Sequence, residues 1–182
     1  MATTTTEERL AAIRRHLDEL ESRARALPAE SKARAQRHLA ALNEETASAR
    51  TSIEATRTRT ATAVAERGHA IEDWLEQLEN RVEIAGHSLA ADLSDDRTSF
   101  EHAVRAELQS WDAYLDRLTT SADSQTEQIV SALRQRRDSL AHRLAEAGLA
   151  AADRWGEQKT RVVAAREELE RKADELTAKL HH

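Results

Sequence analysis

Cysteine is missing from this 182-residue chain, which excludes disulfide bonds, thiol catalysis and thiolate metal sites. Four Gly and one Pro, Pro28, are too few for a turn-rich architecture. Runs of β-branched or aromatic residues with alternating polarity are also wanting, so strands are not expected. The only aromatic residues are Trp74, Trp111, Tyr114, Trp155 and Phe100. A globular core interdigitates bulky side chains, and this shortage points instead to a thin seam between paired helices. No apolar run approaches the ~20 residues needed to span a bilayer. The start, Met1 to Glu7, lacks the basic and apolar regions of a secretory signal, so a cytoplasmic location is expected. A basic surplus is lacking too: 27 Lys and Arg stand against 33 Asp and Glu, a net charge of −6. With both signs mixed along the chain, nucleic acid is not an expected partner.

What is present is Ala, Leu, Glu, Arg and Gln, residues that lose little side-chain freedom in a helix. The expected class is all-α: an elongated antiparallel helical hairpin or coiled coil with a short N-terminal helix, forming a helical bundle on dimerisation. Residues 1–180 read as one elongated domain with helices at about 5–27, 29–93 and 98–180. His181 and His182 read as the start of a purification tag.

The spacing predicts these spans. Leu10, Ile13, Leu17, Leu20, Ala24 and Leu27 alternate steps of three and four on one helical stripe. Thr4 or Thr5 with Glu7 or Glu8 offers a capping box before it. Pro28 fits the first turn of a new helix and bars α geometry from Leu27, which makes a corner. From Ala29 to Leu93 there is no strong stop, although Thr46, Thr51, Thr56, Thr58, Thr60 and Thr62 weaken the middle. Gly68 and Gly86 are candidate bends. Ser94 to Thr98 is the next turn, with Thr98 and Glu101 as a second capping box. Beyond it Trp111, Ala122, Leu133, Leu144 and Trp155 recur every eleven residues, as do Leu118, Ile129, Leu140, Ala151, Val162 and Ala173. Eleven residues make three turns at about 3.67 per turn, a nearly straight stripe. The segment Ser121–Ser124 keeps that phase and is read as a possible bend in a continuous helix.

Candidate chemistry is sparse. Glu66-Arg-Gly-His69 is the only Glu-x-x-His motif, where a di-iron bundle needs two, so no metal or other cofactor is expected. No Gly-x-Ser-x-Gly elbow or Gly-rich phosphate loop occurs, so an enzyme is not expected. Arg134, Arg136, Arg137 and Arg143 form the densest basic cluster, suited to phosphates or an acidic partner, or simply a solvated face. Trp74, Trp111 and Trp155 fill wide points of the seam or anchor a partner or a lipid surface. Trp111, Tyr114, Leu115 and Leu118 make the richest apolar patch.

The periodicity from Phe100 to Leu180 resembles exchangeable apolipoproteins of the A and E type, whose helices lie on lipid or form bundles. Glu54-Ala-Thr-Arg-Thr-Arg-Thr60 and Val64-Ala-Glu-Arg-Gly-His-Ala70 are similar in texture to actinobacterial heparin-binding haemagglutinins, although the Lys-rich tail of that group is missing. High Arg over Lys and high Ala suggest a bacterium with a GC-rich genome. Slender stripes of this kind need covering, so self-association into a homodimer or higher oligomer is expected. The expected function is a helical scaffold or adaptor that holds a protein partner. The alternative is a peripheral lipid-surface protein, disfavoured by a mean hydropathy of −0.70.

Overall fold

Thr5 caps the first helix through a reciprocal capping box with Glu8, as the Thr/Glu spacing implies. The stripe that follows becomes the buried face of α1 (Thr6–Ala24), with Leu10, Ile13, Leu17, Leu20 and Ala24 all out of solvent. The computed structural model describes residues 5–57, 61–120 and 124–180, with side chains over 5–55, 69–119 and 126–175. Within them lie five further helices: α2 (Ala29–Arg57), α3 (Ala61–Asp92), α4 (Arg97–Thr120), α5 (Ser124–Leu149) and α6 (Trp155–Leu180). A short 3₁₀ turn (Ala152–Arg154) precedes α6, and no strand occurs among the described residues. The chain divides into two units, residues 1–93 and 94–182.

In the first unit α2 and α3 run antiparallel. Arg34 donates to Asp92 at 2.5 Å near one end of the pair, and Trp74 Nε1 donates to Glu45 at 3.2 Å further along. Helix α1 lies beside both: Asn43 reaches Glu21 at 2.6 Å, and Arg9 holds Glu79 through two hydrogen bonds of 2.8 and 2.9 Å. The hairpin with a short N-terminal helix is therefore present, but within half of the chain. Leu17, Leu20, Leu42, Leu75 and Leu78 are fully buried at its centre. Each contributes roughly 1.5–3 kcal/mol of transfer free energy.

The second unit repeats the up-down-up order. α4 and α5 are antiparallel, with Arg134 donating to Asp116 at 2.9 Å and Arg97 reaching the far end of α5. α5 and α6 are antiparallel as well, joined across by Arg136 and Glu168 at 3.3 Å. The register of α4 against α6 is marked by a buried ion pair: Arg166 Nε donates to Glu107 Oε2 at 2.7 Å, with the side chains 2% and 0% exposed.

The expected spans of the two long helices are corrected here. The span 29–93 is two helices that fold back on each other, because α2 and α3 share a core. Their connection, Thr58–Thr60, lies outside the described residues, at the Thr-rich weak point. Gly68 and Gly86 both lie inside α3, so neither bends the chain out of helix. The span 98–180 is three helices. The Ser121–Asp123 segment lies outside the described residues, yet α4 and α5 on either side of it are antiparallel. A second reversal follows Leu149, where Ala151 is extended with ψ 158°. Nothing in Gly148-Leu-Ala-Ala-Ala152 forbids a helix, but the carbonyls at the break find a partner outside the segment. Arg97 donates to the carbonyls of Ala147 at 2.7 Å and Ala150 at 2.9 Å, satisfying the orphan acceptors at the end of α5. The cap of α4 also differs from the expected Thr98–Glu101 box. Asp96 accepts from Ser99 N at 2.9 Å and from the Ser99 hydroxyl at 2.7 Å, which starts the helix two residues earlier.

These reversals change what covers the stripes. Phe100, Val104, Leu133, Leu140, Val162 and Leu169 are buried within the single chain. Three helices around one axis supply the cover that a lone hairpin of narrow stripes lacks, so a second chain is not needed for it.

Candidate functional site

The aromatic candidates are spent on structure. Trp111 is 2% exposed and meets Tyr114 edge to face at 5.8 Å, on the inward side of α4. Leu115 and Leu118 are equally buried. This patch is therefore not a surface open to a partner, which corrects the sequence reading. Edge-to-face pairs of this kind add about 0.5–1.5 kcal/mol beyond their buried area. Trp74 is partly buried against the core of the first unit, with its indole N–H held by Glu45. Trp155 sits at the corner between α5 and α6. Its ring meets Phe100 at 5.6 Å, and the Arg97 guanidinium stands 5.1 Å from its centre.

The basic cluster divides according to helix geometry. A residue advances about 100° round a helix, so Arg136 and Arg143, seven apart, share a face. Arg134 and Arg137 point elsewhere, toward α4, where Arg134 binds Asp116 and Thr119 and Arg137 pairs with Asp112. Arg136, Ser139 and Arg143 line one wall of a groove of about 240 Å³ between α5 and α6. The opposite wall is Arg161, Ala164, Ala165 and Glu168, at helical steps of three, one and three. The two Ala side chains leave the space; larger residues there would close the seam.

Three arginines against one carboxylate leave this groove with a surplus of two positive charges on a chain that is acidic as a whole. Glu168 bridges Arg171 at 2.8 Å and Arg136 at 3.3 Å, and these bonds hold its carboxyl below the usual carboxylate range. Arg161 is tied to Glu157 at 2.6 Å along its own helix. Arg143 is exposed and has no hydrogen-bond or ion-pair partner among the described residues. Arg161, Ser139 and Glu168 did not stand out in the sequence. Their signal was there in the seven-residue step from Arg161 to Glu168, but it only gains meaning once α6 is known to turn back along α5.

Elsewhere, among the described residues, no three His, Asp or Glu side chains gather as metal ligands. No described helix is long and apolar enough to cross a membrane. His69, the motif residue, is exposed and lies 3.8 Å from Glu72. The fold belongs to the class of all-α helical-bundle proteins. No family model, curated protein or solved structure matches the chain.

Proposed function

We propose that the protein is a non-enzymatic helical scaffold or adaptor that works in the cytoplasm by presenting charged helix faces to a protein partner. The observation that carries this reading is the division of labour in the bundles. The apolar stripes face inward, while the outer faces hold ion pairs such as Arg50–Glu54, Arg105–Glu101 and Arg161–Glu157 on rigid helices. Helix α3, at about 1.5 Å per residue, offers a face about 48 Å long. Self-association in this reading joins such outer faces rather than the core stripes. The lipid-surface alternative requires the bundles to open, because Trp111 and its neighbours lie beneath the surface.

Cross-linking of the full chain in its native host, with the linked residues mapped, tests the proposal. Links from one host protein, or from a second copy, to outward residues of α2, α3, α5 or α6 support it. Two outcomes would overturn it: a native species no larger than the 20.4 kDa monomer, or flotation with vesicles accompanied by a blue shift of Trp emission.

A further inference from the structure

We infer that the groove between α5 and α6 is a binding site for a phosphomonoester dianion, with Arg136, Arg143 and Arg161 as its ligands and Ser139 as a hydroxyl donor. This goes beyond the scaffold reading and does not depend on it.

The inference rests on three features. The first is charge: the lining residues carry a surplus of two positive charges, which matches a dianion better than a single carboxylate. The second is donor type. All three cations are arginines, whose planar guanidinium forks pair with tetrahedral oxyanions through two parallel hydrogen bonds, where a Lys would act as a point charge. The third is availability. Arg143, which has no partner among the described residues, lines the groove from α5; Arg161 lines it from α6 and is held by an exposed i,i+4 pair with Glu157, which a ligand would have to share. In that α6 wall Ala164 and Ala165 are small, which leaves a groove of about 240 Å³ between the two helices. Arg136 donates through Nη1 to the Ala132 carbonyl at 3.3 Å and through Nε to Glu168, which orients its fork beforehand. Two carboxylates oppose an anion here, Glu168 in the lining and Glu157 through its ion pair with Arg161, and removal of Glu168 should tighten binding.

Phosphomonoester chemistry occurs on free small molecules and on lipid headgroups, and the experiment separates the two. Inorganic phosphate is titrated into the full-length protein while amide and Arg side-chain NMR signals are followed. A parallel arm uses vesicles of phosphatidic acid in phosphatidylcholine. Saturable shifts confined to Arg136, Ser139, Arg143, Arg161 and their neighbours are expected. Arg143→Ala and Arg161→Ala should each weaken phosphate binding about tenfold, the loss of one charge-assisted contact. Glu168→Gln should strengthen it, and Arg134→Ala, whose guanidinium turns toward α4, should leave it unchanged. Because the dianion is lost as a second proton binds the phosphate, affinity should fall as the pH drops from 7.5 to 5. Vesicle binding that obeys the same variants assigns the site to a headgroup, and phosphate binding without it assigns the site to a free ligand. Absence of saturable shifts at phosphate concentrations well above a millimolar overturns the inference, as does equal loss in Arg134→Ala and Arg143→Ala. Arg143 is exposed, so its replacement tests the ligand without testing the fold.

Discussion

Arg166→Met takes the guanidinium away from the buried carboxylate of Glu107, and its cost can be worked from the geometry. Glu107 is fully buried and its Oε2 accepts from Arg166 Nε at 2.7 Å. Taking away one partner of such a pair leaves a charge in low dielectric, which costs roughly 3–5 kcal/mol. Domains of about 90 residues have a total stability of order 5–15 kcal/mol. The substitution should therefore lower the thermal midpoint of the second unit by at least about 12 °C, at about 4–8 °C per kcal/mol. Circular-dichroism melts of the full chain give the size of the effect, and hydrogen exchange in α4 and α6 gives its location. Adding Glu107→Leu to Arg166→Met should restore most of the loss, because the pair's attraction largely repays only its own desolvation. A loss below about 1 kcal/mol in Arg166→Met would refute the reasoning. So would a double variant less stable than the single one.

Other outcomes follow from single contacts. Gly86→Ala should stabilise the first unit by about 0.5–1 kcal/mol in a chemical-denaturation experiment, since helix propensity improves. The new Cβ would meet Leu20 Cδ2 at 3.6 Å and His16 Nε2 at 3.7 Å, both ordinary contacts. Arg97→Ala removes two hydrogen bonds to the end of α5 and the cation over Trp155. For a partly exposed side chain this should cost about 1–2 kcal/mol in a thermal melt. Asp96 is held below the ordinary aspartate range by the Ser99 backbone N–H and hydroxyl. Its folded pKa lies under the unfolded one, so its contribution is present above about pH 4 and lost as the pH falls through the folded value. The stability difference between wild type and Asp96→Ala should thus narrow on acidification below that point.

Much of the fold could be read from residue spacing. The Leu10–Leu20 stripe, the Pro28 corner and the Ser94–Thr98 turn all appear where the pattern put them, because each depends on local chemistry. The second corner did not. Ala150 and Ala151 favour helix, and the eleven-residue phase runs through them from Leu144 to Trp155. The repeat holds inside each helix, Leu133 with Leu144 in α5 and Val162 with Ala173 in α6, while Ala151 at the corner is exposed, so it describes two separate inward faces. The basic cluster was half legible. Turning each residue by about 100° already separates Arg136 and Arg143 from Arg134 and Arg137. Arg161 joins them only through the reversal, an interaction that no local pattern carries. The same holds for Glu107 and Arg166: two ordinary charged residues 59 positions apart become a buried pair only when α4 and α6 lie side by side.

The clamp on Ala147 and Ala150 also bears on synthesis. Its donor, Arg97, precedes those carbonyls by about fifty residues. A chain leaving the ribosome N-terminus first therefore has α4 outside the tunnel before the corner emerges. The helix that decides where α5 ends is in place early, and the nascent polypeptide meets its stop signal as a finished surface rather than as a word in its own text.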